Sequence, residues 1–411
     1  MSNAALSVEE ALARILADAS PLDSEHVPIG EAHGRTLAAP LAARHTQPPF
    51  DASAMDGYAV RAADLAGVPA RLKVIGESAA GRRFHGRVEA GEAVRIFTGA
   101  PVPAGADAIV IQEDTTRDGD IVIIGSGEID AGYIRQRGFD FAAGQALLGA
   151  DRRLNAREVT LAAAMGHGEV PVRRRPRVAI LATGDELVLP GVTPGPDQIV
   201  CSNPFGIAAM VEAAGGKAIL HGIAPDQRDI LRARLEEMLD FDIVVTIGGA
   251  SVGDHDLVGP VLREMGMALD FWKIAMRPGK PLMYGRLGRH DAGASSARRV
   301  LGLPGNPVSS MICGRVFLVP LVLALLGLDA RAPARRTARL TADMPANGPR
   351  QHYARGVLAT DASGETTVRP VRSQDSSLLT PLAEADALIV QPPHSPRWPT
   401  GTKVEVLLMD F

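Results

Sequence analysis

The chain has 411 residues, with 43 Lys and Arg against 47 Asp and Glu, and a formal net charge of −4 at pH 7. Apolar residues make up 46 % of the sequence but aromatic residues only 4 %, so its cores must be aliphatic. No long basic run is present, which argues against a nucleic-acid-binding protein. At roughly 150 residues per domain, the length predicts between two and four domains.

The sequence lacks the patterns typical of secreted, zinc-binding or membrane-spanning proteins. Cys201 and Cys313 belong to no CxxC or Cys/His spacing, which predicts two buried, reduced thiols. The first residues have neither the basic nor the apolar segment of a signal peptide. The most apolar run, 316–328, is shorter than the ~20 residues that span a bilayer and contains Pro320. We therefore expect a buried helix there and a cytoplasmic protein with no membrane partner.

The first part of the chain combines two helices with a β-rich stretch between them. Ser7 and Glu10 form a capping box ahead of apolar positions that share one helical face. Residues 46–138 contain short alternating apolar runs, such as 72–75 and 93–97, separated by glycine and proline. Asn155 can cap a second helix that runs to residue 165. These features predict a small β-rich insert between helical segments.

Residues 177–327 alternate between strands and helices, which is typical of a mostly parallel sheet covered on both faces. Asn203 and Asn306, each followed by proline, predict helix starts, and Asp226 predicts a third for a helix reaching residue 239. A polar segment, 286–298, joins the last two strands as a loop. The predicted strands are 178–182, 217–223, 243–247, 269–274, 282–284 and 300–303.

Short strands return after residue 327 and predict a second β module. They are 337–340, 353–358, 366–370, 388–390 and 404–408.

Three glycine-rich loops follow the first, third and last strands of the α/β region. In an open parallel sheet, ligands bind at the carboxyl ends of the strands. Glycine lets backbone N–H groups approach a phosphate closely, and hydroxyls add hydrogen bonds. We therefore predict a site for an anionic ligand at this edge. Its candidate binding residues are Thr183, Gly184, Asp185, Gly248, Gly249, Ser251, Gly253, Pro304, Gly305, Asn306 and Ser309.

Carboxylates accompany these loops. Glu186, Asp226 and Asp256 would stand close to a bound phosphate, and a hard cation such as Mg²⁺ is the usual partner between such groups. Helix capping is the alternative explanation. Capping accounts well for Asp256. For Asp226 it is about as good an explanation as cation binding, and it is a poorer one for Glu186, which precedes no obvious helix start.

Three cations surround a Pro-Gly turn in the segment 272–281. Lys273, Arg277 and Lys280 are solvated surface charges on the simplest interpretation. The turn would also direct them to one place, as a clamp for an oxyanion requires.

Two motifs of the β-rich insert are not explained by core packing. SAMDGYA at 53–59 contains Asp56, and TGAPVP at 98–103 begins with Thr98. A tight turn explains either motif alone.

Together the motifs resemble the molybdopterin molybdotransferase family, which is MoeA-like and related to the C-terminal domain of gephyrin. The matching stretches are SAMDGYA at 53–59, TGAPVP at 98–103, TGDEL at 183–187, GGASVGDHD at 248–256, RPGKP at 277–281 and LPGNPVS at 303–309. They occur in the family's order and cover nearly the whole chain.

The resemblance implies a transferase that inserts molybdate into adenylylated molybdopterin with Mg²⁺-dependent release of AMP, giving molybdenum cofactor. It also implies an elongated homodimer whose active site lies between subunits, and transient contact with a molybdopterin adenylyltransferase. By motif it implies these functional positions: Asp56, Thr98, Asp140, Glu186, Asp226, Asp256, Lys273, Arg277, Lys280, Pro304 and Ser376. Arg350 or Arg355 is a further candidate cation.

The fold implied is multidomain α/β plus β. It comprises a discontinuous helical linking domain (1–45 and 139–172), a β-rich inserted domain (46–138), a central three-layer α/β domain (173–327) and a small C-terminal β-barrel-like domain (328–411). Two other functions stay open. A molybdopterin adenylyltransferase uses the same α/β domain, but its stand-alone form lacks residues 1–172 and the C-terminal module. A non-catalytic, gephyrin-like scaffold would not need the acidic loops.

Overall fold

The computed structural model describes residues 5–125, 130–249, 257–288, 298–330 and 335–409. Its helices are α1 (Val8–Leu16), α2 (Ala156–Ala164), α3 (Asn203–Ala214), α4 (Arg228–Glu236), α5 (Val258–Glu264), α6 (Pro307–Cys313), α7 (Val319–Leu325) and α8 (Thr380–Ala383). Strands before residue 176 are β1 (Ser24–Pro28), β2 (Leu41–Ala42), β3 (Ala52–Ser53), β4 (Gly57–Val60), β5 (Ala70–Ser78), β6 (Glu92–Ile96), β7 (Ala108–Ile111), β8 (Thr115–Asp118), β9 (Ile121–Ile124), β10 (Ile134–Arg135), β11 (Ala146–Leu148) and β12 (Glu169–Arg173). Strands after it are β13 (Arg177–Thr183), β14 (Leu187–Val188), β15 (Ile199–Val200), β16 (Lys217–Ala224), β17 (Ile243–Ile247), β18 (Ala268–Lys273), β19 (Met276–Arg277), β20 (Pro281–Leu287), β21 (Arg298–Leu303), β22 (Arg335–Leu340), β23 (Gln351–Thr360), β24 (Thr366–Pro370), β25 (Ala387–Gln391) and β26 (Lys403–Leu408).

The segments on either side of the β-rich stretch pack together. β1 pairs with β12 and β2 pairs with β11, and both pairs are antiparallel. The chain therefore enters the β-rich stretch and returns from it at the same place. Leu37, Phe141 and Met165 are buried in the core that these segments share. The predicted capping box of α1 and the Asn155 cap of α2 are both present, which confirms these two helix starts.

The stretch between them forms a six-stranded sheet in the order β7-β4-β6-β5-β9-β8. β5 and β6 are parallel and the other neighbours are antiparallel. The runs predicted at 72–75 and 93–97 lie on β5 and β6. The prediction of a β-rich insert is therefore confirmed.

The α/β region has a six-stranded sheet in the order β16-β13-β17-β21-β20-β18. The first four strands are parallel, whereas β20 and β18 run antiparallel to their neighbours. Alternate residues of β13 enter different cores, because successive side chains of a strand point to opposite faces. Val178 and Ile180 pack with α3, α6 and α7, and Ala179 and Leu181 pack with α4 and α5. The predicted three-layer, mostly parallel arrangement is confirmed.

The predicted buried helix is part of a longer one. Pro307–Leu325 is long and apolar enough to cross a membrane, but 83 % of its most apolar window is buried inside the protein. A π-helical turn, Gly314–Leu318, separates α6 from α7 and precedes Pro320. Such a turn is compatible with the backbone hydrogen bond that is missing at proline, which has no N–H group. The helix belongs to the core of the α/β region.

Two predicted caps of this region are wrong. α3 begins at Asn203 after the N-cap Ser202, and the Asn203 side chain instead donates to the Gly305 carbonyl at 2.7 Å. α4 begins at Arg228 after Gln227, with no side-chain cap, and ends at Glu236. The backbone N–H of Asp226 donates to Asp185 Oδ1 at 3.0 Å. The Asn203 side chain and the Asp226 backbone are therefore held by loop contacts rather than by the helices that follow them.

The C-terminal strands close into a small barrel. β23, β24, β22, β26 and β25 are neighbours in that order, and β25 pairs again with β23. β19 of the α/β region joins this barrel by parallel pairing with β23. The predicted C-terminal β module is confirmed. The loop predicted at 286–298 falls largely on residues 289–297, outside the described part of the chain.

Candidate active site

A cavity of about 810 Å³ opens at the carboxyl ends of β13, β17 and β21, which are adjacent parallel strands. The three glycine-rich loops meet there because parallel strands share one edge. Ten of the residues predicted from sequence line it: Thr183, Gly184, Glu186, Asp226, Gly248, Gly249, Pro304, Gly305, Asn306 and Ser309. Ser251, Gly253 and Asp256 lie outside the described residues.

Glycine is required where the loops touch. Gly248 has φ +93°, and a Cβ added there would lie 2.6 Å from the Thr183 carbonyl oxygen. Gly249 has φ +60°, and its Cβ would lie 2.4 Å from Val258. Side chains at either position would separate the loops, since backbone and core atoms cannot yield by that much. At these two glycines the cavity wall is bare backbone, which suits the close approach of a phosphate-bearing ligand.

A buried hydroxyl and a thiol complete this wall. Thr183 is 5 % exposed, and its Oγ1 has no hydrogen-bond partner among the described residues. A buried, unpaired hydroxyl costs free energy, so a ligand atom is a natural partner. Cys201 also lines the cavity, and burial together with the Glu186 carboxylate raises its pKa. It stays a neutral thiol at neutral pH and is unsuited to nucleophilic attack.

Two of the three predicted Mg²⁺ ligands, Glu186 and Asp226, line the cavity and are exposed. The Glu186 carboxylate covers Gly184, because a Cβ at that glycine would lie 2.5 Å from Glu186 Oε2. Asp185 accepts the backbone hydrogen bond from Asp226 and so ties the two loops together. Within the described residues, no group of three or more His, Cys, Asp and Glu side chains is arranged to hold a metal ion.

The segment that carries the three predicted clamp cations is a closed turn, and none of Lys273, Arg277 and Lys280 lines the cavity. Ile274 N–H donates to the Lys280 carbonyl at 3.2 Å, so the ends of the turn meet. Arg277 and Lys280 are exposed and Lys273 is half-buried. Lys280 precedes Pro281, which lines the cavity. Burial, with neighbouring Arg277, lowers the pKa of His352 to about 4, so this histidine adds no charge at neutral pH.

The C-terminal barrel contributes a loop to the site. Asn306 Nδ2 donates to Ser376 Oγ at 3.0 Å, and Val308 N–H donates to the Ser376 carbonyl at 3.1 Å. Arg355 is 1 % exposed and donates three hydrogen bonds to carbonyl groups of residues 373–378. Of the two candidate cations, Arg355 therefore holds this loop, and Arg350 is the exposed one.

Asp56 and Thr98 form a close pair on the β-rich insert. Asp56 Oδ1 accepts from Thr98 N–H at 2.7 Å and from Thr98 Oγ1 at 2.8 Å. These bonds lower the pKa of Asp56 below its ordinary acidic value, so the carboxylate keeps its negative charge to more acidic pH. Both side chains are exposed, as is Asp140. None of the three lines the cavity of its own chain.

Sequence reasoning missed several residues of the cavity wall. Ile199 and Val200 are exposed aliphatic side chains on β15, which pairs with β14 directly after Glu186. Ser377 and the exposed Leu379 enter from the C-terminal barrel. Two adjacent exposed aliphatics in a short polar stretch were a local signal for β15. No local pattern indicated that Leu379 would reach the α/β region.

Family models match three successive parts of the chain. They are described as the MoeA N-terminal region (domain I and II) at residues 6–166, a probable molybdopterin binding domain at 179–324, and the MoeA C-terminal region (domain IV) at 337–409. Fold and site thus define a class of multidomain chains built around a molybdopterin-binding type α/β domain. The chain belongs to the MoeA family.

Curated relatives and a solved structure agree with this membership. A molybdopterin molybdenumtransferase from Nostoc is 36 % identical over 379 residues, covering 91 % of this chain and 86 % of the relative. One from Haemophilus influenzae is 33 % identical and covers 94 % of each chain. A crystal structure of a molybdopterin biosynthesis MoeA protein from Pyrococcus horikoshii superposes with a TM-score of 0.84 at 31 % identity, covering 99 % of this chain and 100 % of the other.

Proposed function

We propose that this protein is a molybdopterin molybdenumtransferase, which inserts molybdenum from molybdate into adenylylated molybdopterin and releases AMP. The observation that carries the proposal is the cavity where three glycine-rich loops and two carboxylates come together, next to Pro281 at the end of the cation-bearing turn. The bare backbone at its glycines suits the phosphate groups of the pterin substrate. The family membership of the whole chain supports the same reaction.

Mg²⁺ fits the carboxylates of this cavity. Magnesium is commonly bound through one or two carboxylates, with waters and substrate phosphate oxygens completing its shell. Glu186 and Asp226 would supply these carboxylates, and Asp256 stays a predicted third ligand. When bound, Mg²⁺ would offset negative charge on the phosphate oxygens. The residues of the chain itself would orient the phosphates against Gly248 and Gly249.

Lys273, Arg277 and Lys280 would bind molybdate. Both substrates are anions, so their approach requires fixed positive charge at the meeting point. The hydrogen bond between Ile274 and Lys280 closes the turn, and it would hold the backbone of these residues in one geometry before substrate arrives. Because His352 is neutral at neutral pH, the positive charge of the turn comes from the lysine and arginine side chains.

We further propose a homodimer in which Asp56 and Thr98 of one subunit complete the cavity of the other. The pair is exposed and held in one geometry, and Asp56 carries a negative charge, yet neither residue lines its own chain's cavity. A mixture of Asp56→Ala and Glu186→Ala subunits tests this arrangement. Random re-association should restore about a quarter of wild-type turnover, because each mixed dimer then has one intact site. If both residues serve the same chain's cavity, the mixture stays inactive.

The main experiment is incubation with adenylylated molybdopterin, Mg²⁺ and molybdate, followed by measurement of AMP release and cofactor formation. We expect Glu186→Ala and Lys280→Ala to lose most of this activity, and Lys217→Ala, an exposed lysine on the edge strand β16, to keep it. Near-wild-type rates in both site variants would overturn the assignment. Turnover of ATP with free molybdopterin would instead indicate an adenylyltransferase, the partner that we expect to supply the pterin substrate. Binding without any turnover would indicate a scaffold.

A further inference from the structure

The N-terminal strap, defined as residues 5–16, contacts the cation-bearing turn directly. Leu6 forms a parallel bridge with Ile274. Its N–H group donates to the Lys273 carbonyl at 3.3 Å, and its carbonyl accepts from Ala275 N–H at 2.7 Å. The backbone on both sides of Ile274 is therefore fixed by a residue more than 260 positions earlier in the chain.

The other side of the turn is held by the C-terminal barrel. Gln351 N–H donates to the Ala275 carbonyl at 2.9 Å, and Arg277 pairs with His352. Beneath the turn, the Cys313 thiol lies against the Gly279 carbonyl at 3.7 Å. The barrel thus bonds to the Ala275 carbonyl, whereas the strap bonds to the Lys273 carbonyl and to the Ala275 N–H group.

The strap is also anchored by its side chains. Val8, Ala11 and Ile15 are buried in the same core as Ile274. Arg14 contacts Asp270 at 2.9 Å, on the strand that leads into Lys273.

The start of the helix is anchored too. Ser7 and Glu10 form a capping box that fixes α1 immediately after Leu6. An anchored helix with a backbone bridge just before its first turn is suited to hold the cation-bearing turn in one geometry, because preorganised charges need no rearrangement when an anion binds.

We propose that Leu6 is a positioning residue, through which the N-terminal strap sets the geometry of Lys273, Arg277 and Lys280 and so the affinity for molybdate. This inference rests on the proposed function of the turn. Leu6 contacts the turn through backbone hydrogen bonds, and its half-buried side chain packs against the hydrophobic core.

A pair of variants separates the bridge from ordinary packing. Leu6→Pro removes the N–H donor to Lys273 and keeps the carbonyl, whereas Leu6→Ala keeps both backbone groups and removes the half-buried side chain. We expect Leu6→Pro to raise the KM for molybdate about fivefold to tenfold, with kcat and the KM for adenylylated molybdopterin nearly unchanged, since one hydrogen bond contributes about that factor. Leu6→Ala should lower the unfolding temperature and leave the KM for molybdate unaltered.

Hydrogen exchange gives a readout that does not depend on activity. Peptides covering residues 273–280 should exchange faster in Leu6→Pro than in Leu6→Ala. Ser7→Ala, which removes the cap, is a milder second variant in case Leu6→Pro does not fold, and should shift the KM in the same direction.

An unchanged KM for molybdate in both Leu6→Pro and Ser7→Ala overturns the inference, as does an equal rise in Leu6→Ala. Failure of the wild-type protein to release AMP would count against the proposed function instead. The exchange experiment would still test the strap in that case.

Discussion

Replacement of Arg355 by methionine should release the barrel loop that enters the active site. The guanidinium donates to the carbonyls of Leu378 at 3.0 Å, Ser373 at 2.9 Å and Asp375 at 2.8 Å. A hydrogen bond from a charged donor contributes about 1.5 kcal/mol, so the three together contribute roughly 4–5 kcal/mol. Methionine fills similar volume without any donor. Because the loop is largely exposed, its carbonyls can turn to water, and we expect a net loss of roughly 2–3 kcal/mol.

Urea unfolding and limited proteolysis check this expectation. Arg372 is exposed at the start of the loop, so trypsin should cleave after it faster in Arg355→Met than in the wild type. Binding of adenylylated molybdopterin should weaken by tenfold or more, at about 1.4 kcal/mol per factor of ten. Arg369→Met, an exposed arginine on the neighbouring strand β24, is the matched control and should change neither quantity. Unaltered stability and cleavage in Arg355→Met would refute the assignment of Arg355 as the residue that holds the loop.

Three further substitutions test other parts of the site. Thr98→Val removes the hydroxyl that helps to keep the pKa of Asp56 low. The pKa of Asp56 should therefore rise, and the acidic limb of the pH–rate profile should move to higher pH. Thr98→Ser keeps the hydroxyl and should keep the wild-type profile. Leu379→Ala should weaken binding of the pterin substrate severalfold in a titration, whereas Leu378→Ala, equally exposed but outside the cavity wall, should not. Gly248→Ala places a Cβ 2.6 Å from a backbone oxygen in a left-handed conformation, so substrate binding should be lost and the unfolding temperature lowered.

The arrangement of the three loops was predictable because it depends on one rule. Strands predicted near 178–182, 243–247 and 300–303 were recognised by length and composition, and parallel strands deliver the loops that follow them to a common edge. The sheet order places β13, β17 and β21 side by side, which brings the loops into contact. Local pattern and a general topological rule were sufficient for this part of the site.

The two wrong helix caps show where local pattern is insufficient. Asn203 and Asp226 both have side chains that commonly cap helices. The Asn203 side chain donates a hydrogen bond to the Gly305 carbonyl, and the backbone N–H of Asp226 donates one to Asp185. Both competing partners come from loops distant in sequence, so no short window contains the information. For the same reason the positions of Leu379 and Leu6 could not be predicted, because the residues that they contact lie far away along the chain.

The division of the site among separately packed parts has a physical reason. A glycine-rich wall can hold phosphate, but Glu186 and Asp226 in the same wall repel a second anion. The counter-charges stand on a turn whose backbone is fixed by Leu6 on one side and by the barrel on the other. An α/β domain alone would keep the phosphate wall and lose both supports of that turn. We therefore expect the additional parts of the chain to distinguish a site that joins two anions from one that only binds a nucleotide-like ligand.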